Sequence, residues 1–351
     1  MQKVRAEIHL NNIRQNAEYF LAMAKKPLCV VVKANAYGHG AEEVTSALSD
    51  MVSCFAVALI EEGLAIRTAA CGKDILVFTP PTDEEEGYQL ASNRFIASVP
   101  DLYTARLLSK VGKCYRLPIY VHLKVNTGMN RYGMNLSMVG KVCKLLKDDP
   151  YVKVTGIYTH LCECTLARAE EQRARFVAAE RVCRRYFPAV ISHLGGTYAA
   201  TLGKKFVFDM TRIGIGLYGY LPTGEKTYAL KKCMTVYAKT VSKRTVSYGG
   251  LGYGKALSST ELKKVKGKAV NLCRVGYADG FLRNRQNGMD GNERFVSELC
   301  MDAAIKRGCG RRGVWTPIMT DAEKTARETG TISYEVLCAA TRRAEYIYDY
   351  D

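Results

Sequence analysis

No run of eighteen or more apolar residues occurs in this 351-residue chain, and the N-terminus has no basic stretch followed by an apolar one. On those grounds neither a membrane-spanning helix nor a secretory signal is expected, and the expectation is a soluble, cytoplasmic protein. Regular cysteine spacing is also missing. The thirteen cysteines are odd in number and scattered through a chain much longer than a disulfide-stapled scaffold, so reduced thiols are expected. One cluster has metal-ligand character, His160-Leu161-Cys162-Glu163-Cys164, but a fourth ligand and a second cysteine pair are lacking nearby, and no metal is expected. Acidic residues are few: 34 Asp and Glu face 51 Lys and Arg, for a formal charge of +17. Such an excess invites nucleic acid or an anionic membrane surface. The basic residues are nevertheless spread along the whole chain, and short clusters such as Lys231-Lys232, Lys263 to Lys268 and Arg311-Arg312 do not interleave with stacking aromatics. Solvated basic faces account for them, and no nucleic-acid partner is expected. Internal repeats and low-complexity tracts are absent too.

What is present is a chain with 48% hydrophobic residues, long enough for one barrel plus a smaller domain. Short apolar runs alternate with segments of helical period from Leu28 to about Asp209, the pattern of a parallel sheet. Eight strands are predicted: Leu28 to Lys33, Cys54 to Ala58, Ile75 to Phe78, Arg94 to Ser98, Ile119 to Val125, Val152 to Thr159, Ala189 to Ser192 and Phe206 to Asp209. Helices are predicted over Glu61 to Ala70, Asp101 to Lys110, Ser137 to Lys147 and Ala169 to Tyr186. The fold class is therefore α/β, a (β/α)8 TIM-type barrel over residues 1–224, whose chemistry gathers at the C-terminal strand ends. Lys33, Lys124, Arg131, His160, His193 and Arg212 all fall there. Past Tyr220 the texture changes to β-branched runs and glycine-rich turns. Residues 225–351 are read as a mostly-β domain with strands near Met234 to Ser247, Ala269 to Arg274, Phe295 to Cys300 and Val314 to Thr320, and one helix near Ala322 to Thr329. The strand-like Val4 to His9 alternates in a way that suits pairing with this second domain.

The most informative stretch runs from Cys29 to Gly40, Cys-Val-Val-Val-Lys-Ala-Asn-Ala-Tyr-Gly-His-Gly. An apolar β-branched run ending in Lys33 puts an amine at the mouth of a buried strand, where partial desolvation favours the neutral, nucleophilic form. A lysine that ends a strand and points into water is the plainer reading of the same residues. The wording VKANAYGHG resembles the cofactor-lysine signature of the alanine racemase family, and further motifs extend the resemblance nearly to the C-terminus. It implies pyridoxal 5'-phosphate as cofactor, a Schiff base on Lys33, and Tyr37 at the phosphate. In Lys124 to Gly133 it implies that Arg131 contacts the cofactor phenolate and the substrate side, and that Lys124 can be carbamylated. In Asp209 to Gly219, Arg212 corresponds to the arginine facing the pyridine nitrogen, with Gly214 and Ile215 as backbone phosphate donors. His160 matches the histidine bridging Arg212 to the catalytic tyrosine, His193 one beside the ring, and Thr197 a phosphate-binding hydroxyl.

In the second domain the resemblance places Tyr248, within Val246 to Gly250, as a base that reaches the active site of the neighbouring subunit. Tyr277 and Met301 correspond to residues lining the substrate end. Four positions depart from the family pattern: Asn126 replaces an aspartate, Asn130 a glycine, Gly196 an asparagine, and Arg342 a phosphate-binding tyrosine. The departure at Arg342 also keeps a serine or dual alanine/serine racemase of the vancomycin-resistance type in view. What the resemblance implies is a homodimeric racemase that interconverts L- and D-alanine by a two-base mechanism, Lys33 on one face and Tyr248 on the other, supplying D-amino acid for peptidoglycan. A membrane contact is expected only if the chain belongs to a tethered form. A non-catalytic pyridoxal-phosphate carrier is the alternative of another class; carriers of that kind lack the β domain and its tyrosine.

Overall fold

The structure is a computed structural model that describes residues 4–162, 165–222, 229–247, 251–253, 267, 269–283, 295–307 and 310–350. The chain divides into two compact units. One holds Arg14–Ala36 and Ala41–Leu230; the other gathers the chain's start through Ile13, Tyr37–Gly40, and everything from Lys231 onward. The observed division thus falls six residues later than the expected start at 225, and the second unit also takes two segments from the N-terminal part.

The first unit is a near-closed parallel barrel. Its strands are β2 (Leu28–Val31), β3 (Cys54–Val57), β4 (Asp74–Val77), β5 (Ile96–Val99), β6 (Ile119–Lys124), β7 (Val152–Tyr158), β8 (Ile191–His193) and β9 (Thr211–Ile213), with β1 (Val4–His9) lying in the other unit. Each of β2 to β7 pairs in parallel with the next, and β9 returns to pair with β2. Strands buried on both faces need no alternation, which is why Leu28 to Val31, Cys54 to Val57 and Ile96 to Val99 are buried at every position. Between β8 and β9 the seam is bridged by the Asp209 and Met210 N–H groups, which both donate to the Ser192 carbonyl at 3.0 and 3.3 Å. The Asp209 carboxylate adds to this, accepting from the Ser192 N–H at 2.9 Å and its hydroxyl at 2.7 Å.

The outer helices follow elementary start and stop signals. Asp101 caps the helix Leu102–Tyr115 by accepting from the Thr104 N–H at 2.8 Å, and Asp83 does the same for Glu84–Ser92 through Glu86. The helix Leu102–Tyr115 buries Thr104, Ala105, Leu108, Val111 and Gly112, the spacing of one helical face.

The eighth strand lies further along the chain than expected. Phe206 to Asp209 looks like a short strand because of its two phenylalanines and valine, but Lys204–Phe206 forms a 3-10 turn and the strand is Thr211–Ile213. Asp209 is committed to the Ser192 seam, so pairing with β2 begins after it.

In the second unit, β1 is central. It runs antiparallel to β10 (Met234–Thr245) and parallel to β14 (Ala344–Asp349), with every second residue buried. The sheet continues from β10 through β11 (Ala269–Cys273) to β12 (Ala304–Arg307), while β13 (Trp315–Met319) also pairs with β10. The expected strand at Phe295 to Cys300 reduces to one bridge, Phe295 with Lys306, and the paired strand is β12 instead. Two helices follow rather than one, Ala322–Thr329 and Ser333–Ala340.

Candidate active site

The end of β2 carries Lys33, half-buried, at the start of a tight turn over Lys33–Gly38. This turn is left-handed: Ala34, Asn35, Ala36 and Tyr37 have φ between +51° and +53°. Left-handed geometry costs roughly 1–2 kcal/mol for each residue with a Cβ, so the turn persists only because neighbours over-determine it. Glu62 supplies much of that restraint. One of its oxygens accepts from the Ala34 N–H at 2.7 Å, and the other from Ala58 at 2.7 Å and Leu59 at 3.2 Å. The Asn35 side chain accepts from the Ala41 N–H at 2.8 Å, and the Ala36 N–H donates to the Val32 carbonyl at 2.8 Å. The turn therefore fixes where the Lys33 amine leaves the backbone.

Arg212, 2% exposed on β9, is the most constrained cation of the barrel. Its Nη1 bonds His193 Nδ1, and its Nη2 donates to the Thr159 carbonyl at 2.7 Å. The guanidinium lies 5.0 Å from the Tyr158 ring centroid and 5.9 Å from that of Phe78. Burial lowers its pKa, but from a reference so high that it remains a cation and a pure donor. His193 stacks on Tyr158, with centroids 4.9 Å apart and planes 2° from parallel.

His160 follows β7, and its neutral form is favoured by burial first and then by Arg212, Lys124, Arg131 and Lys33, all basic side chains. These four side chains and one imidazole are thus grouped around a single region. Lys124, 6% exposed at the end of β6, has its ammonium pKa pushed well below the ordinary value by burial and by Arg212 and Arg131. Its nitrogen sits 4.9 Å from the Tyr158 ring centroid. Such a positive concentration suits an anionic ligand.

Arg131 is exposed on the loop after β6, where two departures from the family pattern meet. Asn130 has φ +55°, a conformation glycine adopts freely and asparagine tolerates best among other residues. The Asn126 side-chain oxygen accepts from the Gly128 and Asn130 N–H groups at 3.1 Å each, and its Nδ2 donates to Asn130 Oδ1 at 2.9 Å. The two replacements compensate each other. At Gly196, the third departure, a Cβ would lie 3.2 Å from His160 Cε1, a tight contact that the histidine ring would have to accommodate.

Thr197, Gly214 and Ile215 form a small polar cradle. The Thr197 hydroxyl accepts from the Gly214 N–H at 3.3 Å and the Gly216 N–H at 3.1 Å. Gly216 has no room for a side chain, since a Cβ would stand 2.6 Å from both Phe20 and the Thr197 methyl. Accepting both bonds leaves the Thr197 hydroxyl its own hydrogen to donate, the kind of donor a phosphate requires, and this fits pyridoxal phosphate.

Within the second unit, Tyr37 is buried with its ring 5.8 Å from that of Tyr334. A Cβ on Gly38 would collide with the Leu337 carbonyl, so this segment is seated on the helix Ser333–Ala340. Arg342 follows that helix and is exposed. Tyr277 and Met301 are brought together: the Tyr277 N–H donates to the Cys300 carbonyl and the Ala278 N–H to that of Met301, both at 3.1 Å. Arg343 braces these loops by bonding Asp279 and Asp302 at 2.9 Å each. Tyr248 lies outside the described residues, as do Glu163 and Cys164 of the cluster considered for zinc.

Sequence reasoning overlooked Glu62, Tyr158, His122 and Arg343. The pair Glu61-Glu62 at a helix start was the available signal for the first, whereas Tyr158 and His122 look like ordinary strand residues.

With this geometry in place, comparison with known proteins is informative. Residues 8–222 match the family model for the alanine racemase N-terminal domain, and residues 233–348 that for the alanine racemase C-terminal domain. An alanine racemase of Synechocystis sp. is 30% identical over 367 aligned positions, covering 95% of this chain and 94% of the relative. Among solved structures, alanine racemase of Clostridium difficile 630 superimposes with a TM-score of 0.89 at 27% identity, covering 99% of this chain and 96% of that one. An alanine racemase of Bartonella henselae with covalently bound pyridoxal phosphate gives 0.86 at 25% identity, covering 99% and 100%.

Proposed function

The chain belongs to the alanine racemase family, and on that premise we propose that it interconverts L- and D-alanine with pyridoxal 5'-phosphate attached to Lys33. The observation that carries this reading is the buried Arg212, locked as a donor by His193 and Thr159, which with Lys33, Lys124 and Arg131 acts on the nearby His160. When bound, pyridoxal phosphate supplies an electron sink for charge developing at the substrate Cα.

The protein's part is to hold and move protons. By the family resemblance, Thr197, Gly214, Ile215, Tyr37 and Arg342 are assigned to the phosphate. Arg212 would face the ring nitrogen of the bound cofactor; because it cannot readily yield a proton, it would keep that nitrogen unprotonated and moderate electron withdrawal. Arg131, staying cationic with a planar fork of donors, is assigned to the phenolate and the substrate carboxylate. Burial and the nearby Arg212 and Arg131 push the Lys124 pKa well below the ordinary value, which favours the uncharged amine that can take up carbon dioxide, and a carbamate there would orient Arg131. Tyr277 and Met301 border the substrate.

Racemisation removes the Cα proton on one side and returns it on the other. Lys33 serves one face and Tyr248 of the partner subunit the other, each alternating between base and acid. A phenol of reference pKa about 10 is a weak base at neutral pH, and the cations of the barrel rim would lower it. Shared sites of this kind make the chain a homodimer. Alanine rather than serine is favoured by the names its relatives carry, and a match to both family domains argues against a bare cofactor carrier. Among the described residues no helix is long and apolar enough to cross a membrane. A cytoplasmic enzyme supplying D-alanine to the cell wall fits these features.

Rates of alanine and serine racemisation, measured on one cofactor-loaded preparation, test the reading. Alanine should react faster, and borohydride reduction followed by peptide mapping should find the cofactor on Lys33. An adduct that survives in Lys33→Ala would remove Lys33 from its role. For Tyr248→Phe, loss of the Cα proton from L-alanine in deuterated water should be crippled while cofactor attachment persists; unchanged exchange would reject the second base.

A further inference from the structure

His122 lies on β6, 2% exposed, and nothing in the proposed chemistry uses it. Its Nδ1 is 2.9 Å from Nε2 of His193, whose Nδ1 in turn meets Arg212. The order of this chain fixes every proton in it. Arginine offers only donors, so His193 Nδ1 must accept. In a neutral imidazole the second nitrogen then carries the hydrogen, and His193 Nε2–H must donate to His122 Nδ1. That leaves the hydrogen of His122 on Nε2.

The fold makes room for this side chain in two independent ways. A Cβ on Gly156 of the adjacent strand would lie 2.5 Å from His122 Cδ2 and Nε2, so only glycine is accommodated opposite the ring. The register between β6 and β7 also shifts between Val121 and His122. On its other side the imidazole borders a cavity of about 570 Å³ at the N-terminal mouth of the barrel, lined also by Cys54, Asp74, Tyr120, Thr155 and Asp209. His122 is held near a pKa of about 3 by burial and by Arg212, so it stays neutral and an acceptor throughout the physiological range.

We propose that His122 is a positioning residue for racemisation: by accepting from His193 it holds His193 in the Nε2–H tautomer and thereby holds Arg212 as a donor towards the cofactor ring. This rests on the assignment of Arg212 to the ring nitrogen, but its first test does not depend on activity. Were His193 to carry its hydrogen on Nδ1, that hydrogen would oppose the guanidinium and displace it. Loss of the His122 acceptor leaves a buried N–H without a partner, a penalty of about 1–3 kcal/mol that is relieved by just such a tautomer change. Asparagine at 122 places an amide oxygen near the position of Nδ1 and preserves the acceptor, whereas leucine does not.

Imidazole 15N spectra of histidine-labelled protein provide the first test, since the chain has only 5 histidines. His193 and His122 should both appear as neutral Nε2–H tautomers from pH 6 to 8, with or without cofactor. His193 protonated on Nδ1, or on both nitrogens, would overturn the proposal. The second test compares His122→Asn with His122→Leu in cofactor-loaded enzyme. The leucine variant should lose on the order of tenfold in kcat, with KM for alanine changed less, and should shift the pH at which the bound cofactor's absorbance changes. The asparagine variant should restore both. Equal losses in the two variants, or an unchanged cofactor spectrum in the leucine variant, would reduce His122 to a packing residue. If the leucine variant does not fold, the tautomers of the unmodified protein still decide. If the tautomers are as expected in a protein that does not racemise alanine, the proposed activity fails while the relay stands.

Discussion

Replacing Gly38 with alanine tests whether the segment Tyr37–Gly40 is seated on the helix Ser333–Ala340. Gly38 has φ +81°, and a Cβ there would collide with the Leu337 carbonyl and come within 2.8 Å of Thr341 Oγ1. Gly330, in the same unit, has φ +73° with nothing within 4 Å of its would-be Cβ. The two substitutions share the left-handed backbone cost, about 1–2 kcal/mol, and the same small gain from restricting the unfolded chain, about 0.4–1 kcal/mol. They differ only in sterics. Backbone carbonyls yield poorly, so the collision adds roughly 1–3 kcal/mol at Gly38, the range for overpacking. Urea denaturation of the cofactor-free variants should therefore show Gly38→Ala less stable than Gly330→Ala by that margin. Because Tyr37 is the neighbouring residue, Gly38→Ala should also retain cofactor more weakly under dialysis. Equal stability of the two variants would refute the claim that the segment is seated by contact.

Other consequences concern charge and the departures from the family pattern. Lys124 has a folded-state pKa below its unfolded value, so the unfolded chain binds more protons between the two and stability rises with pH up to about 10.4. Lys124→Met should be more stable than the parent at neutral pH in bicarbonate-free buffer, with the gain vanishing at high pH; a pH-independent difference would contradict the burial argument. For Asp209, burial pushes the carboxyl up but bonds from Ser192 and Arg184 outweigh it, giving a net lowered pKa. Its stabilisation is complete above the unfolded value of about 3.9 and lost as pH falls further, so Asp209→Asn should flatten acid unfolding in that window. Asn130→Ala should destabilise by about 1 kcal/mol or more, through left-handed strain and the broken bond to Asn126, whereas Asn130→Gly should cost less.

Much of the barrel was legible because strands buried on both sides are simply apolar runs, and seven of the eight expected runs overlap observed strands. The eighth was displaced since β9 is three residues long, too short for any pattern, and its central residue is an arginine that the interior bonds satisfy. Lys33 and Lys124 lie at or just past the ends of β2 and β6 as the coarse reading expected, whereas Arg212 lies within β9 rather than after the eighth strand. What could not be read is the left-handed turn, for alanine, asparagine and tyrosine carry no signal for φ near +52° without their tertiary restraints. His122 and Tyr158 were invisible for a related reason: a polar residue inside an apolar strand is interpretable only when its partner, here on another strand, is known. In the second unit, β12 and β14 escaped notice because their residues are mixed in character and their pairing is non-local.

The central claim is that each reaction centre combines Lys33 of one subunit with Tyr248 of the partner subunit. Mixing Lys33→Ala and Tyr248→Phe chains, each inactive alone, through joint refolding or co-expression tests it directly. In a mixed dimer one site is doubly disabled and the other is intact, so a random mixture should regain about a quarter of the unmodified activity. A mixture as inactive as its parents, although mixed dimers form, would contradict the shared site.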